Sequence, residues 1–331
     1  MKYLLGTVLA ASIAVPAFAA DYPWQPDHPI TIIVPWGAGG ATDQVTRVTA
    51  GELETALGQN IVVVNQPGAS GSIGKKNVWE SAHDGYTWAA GAPKQLGTYK
   101  LLGLFDTWIE DWELYLTVTN VPVVSVNPDT PYQDMGQLLE AMKTQSIAVA
   151  TADSGSSGHA AMEGIKGATG VDYKHVTYDG GNPAVIATVS GETAVTTQLA
   201  SEQAEMIRAG RLRPLAVLGN QPLEIEGFGQ VPPITDFVDG KMPVLSTGFG
   251  IFIPKGIPDE VKQTFDQIWD DTIKNSDALK TYALSRGALF TPLHGEQALE
   301  AVMPEVRSDA WSFHAAGQTK MSPEELGIEK P

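Results

Sequence analysis

Short apolar runs alternate with longer periodic segments along most of the chain. From Ile30 onward the runs are rich in Val and Ile, and the segments between them repeat apolar residues with the spacing of a helix. Continuous apolar runs that alternate with helices are typical of parallel strands buried on both faces. The pattern predicts an α/β fold. Strands are expected at 30–34, 60–65, 86–90, within 121–131, and at 146–151, 171–178, 191–199, 213–219 and 246–254.

The periodic segments predict helices that end at recognisable signals. The first begins at Asp43 and stops before Gly58. Residues 220–242 are rich in Pro and Gly, show no period and are predicted to form a loop. Further helices are expected after the turn at 67–74 as far as Ser81, and at 133–143, 159–167, 184–190, 201–209, 259–275, 277–287 and 296–310, with a kink at Pro304.

The length of the chain and the order of these elements predict two domains. About 310 residues remain without the N-terminal leader described below, more than one hydrophobic core usually serves. The alternation restarts near Asn120 and gives way to helices near the C-terminus, so that last segment is expected to pack on the first domain. We predict domain 1 over 21–121 and 243–331 and domain 2 over 122–242. Two crossings, near Val121 and Val244, would make a hinged clamp.

The first twenty residues have the layout of a secretory signal peptide. Lys2 precedes an apolar stretch from Leu4 to Val15, and small residues at Ala17 and Ala19 flank Phe18. The stretch is shorter than the ~20 residues of a spanning helix. We expect export of the protein and cleavage near Ala19 or Ala20.

The net charge and the residue composition of the chain limit the kinds of molecule that it is expected to bind. The formal charge is −17, and loss of Lys2 makes it −18, which argues against nucleic acid and anionic lipid. An anionic ligand stays possible, because salt screens distant charges beyond roughly 10 Å. The chain has no Cys, so it has no disulfide and no Cys-ligated metal, and its His residues lack metal-site spacing. We expect neither a metal nor a cofactor.

A glycine-rich turn, residues 35–43 with the sequence PWGAGGATD, follows the first strand and opens the first helix. Its glycines let the backbone approach a ligand closely, and the free N–H groups at the helix start favour an anion. The dinucleotide motif GxGxxG would need glycine at Thr42, so that alternative fails. A plain tight turn remains the alternative to an anion site.

A second such turn, residues 65–74, also links a buried strand to a helix. A P-loop would need Gly at Ala69 and Ser or Thr at Lys76, and the nucleophile elbow GxSxG would need Gly at Ser72. Two further turns, at 153–159 and 178–183, lie in the predicted domain 2. Facing turns from two lobes could present N–H and hydroxyl donors to one small ligand.

Seven segments, in order over nearly the whole chain after the leader, form a recognisable set: IVPWGAGGATDQVTR, VVVNQPGASGSIG, DGYTWAAG, the turn at 153–159, TYDGGNPAVIATVSGE, IRAGRLRPLAVLG and GIFIPKGIPDEV. Together they resemble the Bug family, the periplasmic substrate-binding receptors of tripartite tricarboxylate transporters. The resemblance implies a type II periplasmic-binding-protein fold, with two α/β lobes, a ligand cleft and two crossings between domains. It also implies a periplasmic location and delivery of the ligand to membrane transporter subunits.

The resemblance places a ligand carboxylate on the two turns of domain 1 and variable contacts in domain 2. From the residues themselves we expect Asp43 to cap its own helix and His159 to bond locally. Trp36 and Asp179 depart from the family pattern, and an inward Asp179 would repel a second carboxylate. The candidate ligand-binding residues are Trp36, Gly37, Ala38, Gly39, Gly40, Thr42, Asp43, Ala69, Ser70, Gly71, Ser72, Ser156, Ser157, His159, Tyr178, Gly181 and Gln198.

Together these observations predict a monomeric, non-catalytic binding protein for a small organic acid. Two alternatives stay open. A sensory subunit that presents its ligand to a membrane signalling protein would use the same pocket. A hydrolase would need Ser70 or Ser157 beside a His and an orienting group, and the sequence shows no such set.

Overall fold

The computed structural model describes residues 22–238 and 246–330, so the predicted signal peptide lies outside the described residues. The fold is α/β, as predicted, and contains two large sheets. The first part of the chain forms strands β1 (Ile30–Val34), β2 (Ile61–Asn65), β3 (Thr87–Gly91) and β4 (Trp112–Asn120) and helices α1 (Ala41–Leu57), α2 (Ser72–Trp79) and α3 (Tyr99–Leu102).

The middle of the chain supplies the second sheet and its helices. Its strands are β5 (Pro122–Val126), β6 (Ile147–Thr151), β7 (Tyr173–Thr177), β8 (Val195–Leu199) and β9 (Arg213–Val217). Its helices are α4 (Met135–Met142), α5 (Ser157–Thr169), α6 (Gly181–Val189) and α7 (Ala200–Arg208). The remaining elements are β10 (Leu223–Ile225), β11 (Gly229–Val231), β12 (Thr247–Pro254), α8 (Asp259–Asp271), α9 (Asp277–Arg286), β13 (Leu289–His294) and α10 (Gly295–Ala315).

The strand orders explain how turns from distant parts of the chain meet. The first sheet has the order β13-β4-β12-β3-β1-β2, and the second has the order β7-β6-β8-β5-β9. Strand β1 is parallel to β2 and β3, and β6 is parallel to β7 and β8. Parallel neighbours end at the same edge of a sheet, so the turns that follow them cluster there.

We use first lobe and second lobe for these two sheets with their packed helices. Strands of the first sheet come from 30–120 and 247–294, and strands of the second from 122–217. The chain passes from one sheet to the other at Val121, while residues 239–245, where the other predicted crossing falls, lie outside the described residues. The two-domain division remains our proposal, and the sheet membership supports it.

Several described segments differ from the prediction. Strand β4 was not predicted, because Thr117 and Thr119 interrupt its apolar run; Thr117 donates to the Phe249 carbonyl (3.2 Å). Strand β13 lies at a sheet edge, is only partly buried and contains Pro292, so it carries no buried-strand pattern. The predicted loop at 220–242 contains the antiparallel pair β10–β11. Helix α10 runs through Pro304 to Ala315, beyond its predicted end.

A buried ion cluster fixes α10 to the segment after β3. Lys94 Nζ lies 2.7 Å from Glu305 Oε1 and 2.9 Å from Asp309 Oδ2, and all three side chains are buried. Burial raises the pKa of Glu305 to about 7; Lys94 opposes this rise and Asp309 adds to it. The Thr247 hydroxyl donates to Glu305 (2.6 Å) and lies 3.0 Å from Ser157 Oγ in the second lobe. The cluster therefore extends to the junction of the lobes.

Replacing Lys94 by Met should destabilise the protein strongly. Two buried carboxyl groups would lose their cation, which typically costs about 3–5 kcal/mol. Urea unfolding measures this loss. Lys100→Met is the matched control, because Lys100 pairs with Asp106 (2.8 Å) at the surface and should cost less than about 1 kcal/mol. Equal, small losses in both variants would contradict a stabilising role for the cluster.

Candidate functional site

A narrow cleft lies between the lobes, at the ends of the parallel strands. Its cavity volume is about 40 Å³, smaller than that of a typical small-molecule site. The turns after β1 and β3, together with β12, form one wall, and the starts of α5, α6 and α7 form the other. The lining residues are Trp36, Gly40, Ala41, Thr42, Ala92, Gln95 and Phe249 from the first lobe, and Ala152, Ser156, Ser157, Gly181, Gln198, Leu199 and Glu202 from the second.

Helix starts supply most of the backbone donors of this cleft. Helix α1 begins at Ala41 after Gly40, which offers no side-chain cap, and α6 begins at the lining residue Gly181. Helix α5 begins at Ser157, with Ser156 Oγ accepting from the His159 N–H (3.2 Å). The first N–H groups of a helix have no partner within it and carry the positive end of its dipole. Helices from both lobes thus present donors to the same space.

The turn before α1 is held in shape by Asp43. Its carboxylate accepts from the Gly39 N–H (2.9 Å), from Asn65 (3.0 Å) and from Arg47 (2.8 Å). Burial alone would raise the pKa of Asp43, but these bonds outweigh it and lower the pKa. Gly39 has φ +80°, a conformation that favours glycine. The prediction that Asp43 caps its own helix is wrong, because the N-cap is Gly40 and no side chain caps it; Asp43 instead holds the turn that precedes the helix and does not line the cleft.

The turn at 69–72 contacts the second lobe at the rim of the cleft. Ser70 N–H donates to Asp153 (3.2 Å), and Ser70 Oγ donates to the Ser154 carbonyl. The Tyr99 hydroxyl donates to the Ser70 carbonyl (3.0 Å) from within the first lobe. Residues 69–72 are therefore placed as a bridge between lobes and are absent from the lining.

Gln95, which the sequence analysis did not single out, lines the cleft, and a buried lysine behind it holds its side chain in place. The fully buried Lys75 donates to Gln95 Oε1 and lies 3.4 Å from the Ala92 carbonyl. Burial holds the pKa of Lys75 well below its ordinary value. Because only the amide oxygen can accept from Lys75, the Gln95 NH2 group is left as a donor for the cleft.

Glu202 places a carboxyl group in the cleft. It crosses to the first lobe, where Oε1 accepts from the Ala41 N–H (3.1 Å). With the Gln198 amide oriented so that its nitrogen faces Glu202, the orientation that satisfies both ends of the amide, Gln198 donates to the other oxygen of Glu202 (2.9 Å) and accepts from the Ala152 N–H (2.5 Å). Burial raises the pKa of Glu202 to about 7, although its bonds to the Ala41 and Leu199 amides lower it. An acidic residue in the first turn of a helix is ordinary, so no sequence pattern marks Glu202 as a site residue.

The other predicted residues fall into two groups. Gly37 and Ala38 lie in the first turn outside the lining, and a Cβ on Gly37 would come within 2.7 Å of the Asp179 carbonyl across the cleft. Tyr178 donates to Glu192 (2.9 Å), and the His159 ring stacks on His175 at 4.2 Å. Burial and His175 lower the pKa of His159 to about 4. The structure thus places Asp43, His159 and Tyr178 away from the cleft, because each bonds within its own lobe.

Seven of the predicted residues meet at the cleft: Trp36, Gly40, Thr42, Ser156, Ser157, Gly181 and Gln198. They come from both lobes, which is the arrangement that a clamp requires. The candidate list did not include two polar lining residues, Gln95 and Glu202. It also lacked the apolar lining residues Ala41, Ala92, Ala152, Leu199 and Phe249.

Comparison with known proteins identifies the family. Residues 45–286 match the model of the tripartite tricarboxylate transporter family receptor. The chain belongs to this receptor family. It is similar to protein BugT of Bordetella pertussis, with 30% identity over 282 residues that cover 83% of this chain and 85% of BugT.

Solved structures of similar proteins show the same architecture. A TctC solute-binding protein from Polaromonas, without ligand, has a TM-score of 0.64 at 28% identity over 88% of this chain and 99% of its own. An R. palustris protein determined with adipate has a TM-score of 0.78 at 24% identity, covering 88% of this chain and 98% of its own. This receptor is thus a periplasmic-binding-protein fold of the TctC and Bug type.

Asp43→Asn should destabilise the receptor in a pH-dependent way. At neutral pH the loss should be about 1–3 kcal/mol, because charge-assisted bonds to the turn are weakened. The folded pKa lies below the ordinary 3.8, so the stabilising contribution is complete above that pH and is lost as the pH falls below it. Urea unfolding at pH 6.5 and pH 3 measures the difference, which should shrink at pH 3. A difference that stays constant or grows in acid would contradict the role of Asp43.

Proposed function

We propose that this receptor captures a small organic acid in the cleft and delivers it to a tripartite tricarboxylate-type membrane transporter. The observation that carries the proposal is the convergence of helix starts from both lobes on one cleft. N–H groups of this kind bind carboxylates without a cationic side chain. Closure of the lobes would bring the two sets of donors onto one ligand.

The family relationship supports the same ligand class. The R. palustris neighbour was determined with adipate, a carboxylate. The proposed contacts in this chain are the hydroxyls of Thr42, Ser156 and Ser157, the Gln95 amide and the N–H groups at the helix starts. Trp36 and Phe249 would cover the apolar part of the ligand.

The surroundings of the serines favour binding over hydrolysis. Ser70 Oγ donates to a backbone carbonyl, and Ser157 Oγ bonds to Thr247. Within the described ranges 22–238 and 246–330, neither hydroxyl has the His partner that a nucleophilic serine needs. We therefore propose a non-catalytic receptor.

The family relationship and the predicted signal peptide support a proposal for the cellular compartment. We propose a monomer in the periplasm, released from a signal peptide near Ala19 or Ala20. Among the described helices, none is both long enough and apolar enough to cross a membrane. The sensory alternative uses the same cleft, and a pull-down from membrane extracts with and without ligand would separate it from transport.

Calorimetry across mono-, di- and tricarboxylates tests the proposed function. Binding of at least one acid in the micromolar range, about −8 kcal/mol, is expected. Gly40→Val should abolish it, because a Cβ at Gly40 already lies 3.3 Å from Glu202 and 3.5 Å from the Gly37 carbonyl.

Gly51→Val is the matched control. Gly51 lies on the exposed side of the same helix, with no atom within 4 Å of an added Cβ, so binding should persist. Indifference of the wild type to every carboxylate would refute the proposal. Full binding by Gly40→Val would place the site elsewhere.

A further inference from the structure

We propose that Glu202 sets the ligand class of this cleft, so that the preferred solute carries an ammonium group beside its carboxylate and a dicarboxylate is disfavoured. This inference rests on the proposed function and narrows it. The observations are the position of one carboxyl group, the charges around the cleft and the space that Gly181 leaves.

Glu202 already occupies a donor that a ligand carboxylate would use. Its carboxyl group bonds to the Ala41 N–H at the start of α1 (3.1 Å), which is the anion-favouring end of that helix. A ligand carboxylate therefore has to use the other donors, which are the side chains of Thr42, Ser156, Ser157 and Gln95 and the N–H groups at the starts of α5 and α6. The ligand binds next to a protein carboxyl group at the start of α1.

The charges around the cleft do not compensate Glu202. It is the one lining residue with a charged or acidic side chain, and the lining of the described structure contains no Lys, Arg or His. Of the basic side chains nearby, Arg47 binds Asp43, and Lys94 binds Glu305 and Asp309. Lys75 is buried behind Gln95, and burial holds its pKa well below the ordinary value. A second ligand carboxylate would thus lie beside the acceptor oxygens of Glu202 with no cationic side chain in the lining.

The carboxyl group of Glu202 has acceptor capacity for a further donor. The Ala41 N–H takes one of the about four sites that a carboxylate offers, and the Gln198 amide, with its nitrogen turned toward Glu202, takes a second. A ligand ammonium beside Glu202 would take another. Burial raises the pKa of Glu202 to about 7, and an ammonium would favour the ionised form again.

Gly181 keeps this position open. A Cβ on Gly181 would overlap both carboxyl oxygens of Glu202, so the first residue of α6 has to lack a side chain for the carboxyl group to lie there. Gly181 has an ordinary negative φ and is not needed for its backbone conformation. The close approach of Gly181 and Glu202 is therefore a feature of the cleft and not of a turn.

Calorimetry with matched pairs tests the inference. The pairs are butanoate with 4-aminobutanoate, succinate with aspartate, and adipate with 6-aminohexanoate. In the wild type, the amino member of at least one pair should bind about tenfold tighter or more than its partner. Glu202→Gln keeps the shape and removes the charge, so it should reduce that preference to about threefold or less and strengthen dicarboxylate binding.

Glu205→Gln is the matched control, because Glu205 lies on the same helix α7 and pairs with Arg208 outside the cleft (2.8 Å). The Glu205→Gln variant should prefer the amino compounds to the same degree as the wild type. Two results would overturn the inference and leave the proposed function standing. One is that the wild type binds the acids without an amino group as tightly as the amino compounds, or more tightly. The other is that a folded Glu202→Gln variant keeps the wild-type preference. Failure of every compound to bind would instead count against the proposed function. The wild-type comparison decides even if Glu202→Gln does not fold.

Discussion

The backbone N–H groups at the starts of α1, α5 and α6 must find acceptors, and the rest of the site follows from this requirement. These helices begin inside the space between the lobes, where their first N–H groups have no partner in their own helix. Ser156 satisfies one such group in α5, and Glu202 satisfies one in α1 from the opposite lobe. The remaining donors support the proposal that the cleft binds a carboxylate, although the protein is strongly acidic overall.

Buried polar groups keep the walls of this cleft in place. Asp43 fixes the turn before α1, Lys75 orients Gln95, and the cluster of Lys94, Glu305 and Asp309 holds α10 against the first lobe. Such groups are costly to bury unless they are paired, and here each has hydrogen-bond or ion-pair partners.

The sequence predicts local structure but not the contacts between distant residues. The glycine turns and most strands could be predicted because each depends on residues that are close together in the chain, and the family could be predicted from its motifs. Glu202 and Lys75 look like ordinary surface charges on helices. Glu202 bonds to Ala41, 161 residues away, and Lys75 lies 5.4 Å from the centre of the Phe252 ring on β12. Tyr178 was expected to face the ligand because it borders a glycine turn, but its hydroxyl bonds to Glu192. Strand β13 escaped prediction because an edge strand that is only partly buried has no clear pattern.

The most direct test of the account is a crystal structure of the receptor with the acid that calorimetry shows to bind. The account predicts that the ligand carboxylate lies in the cleft, within hydrogen-bond distance of at least one donor from each lobe, among Thr42, Gln95, Ser156 and Ser157. A carboxylate bound outside the cleft, or held by one lobe alone, would contradict it.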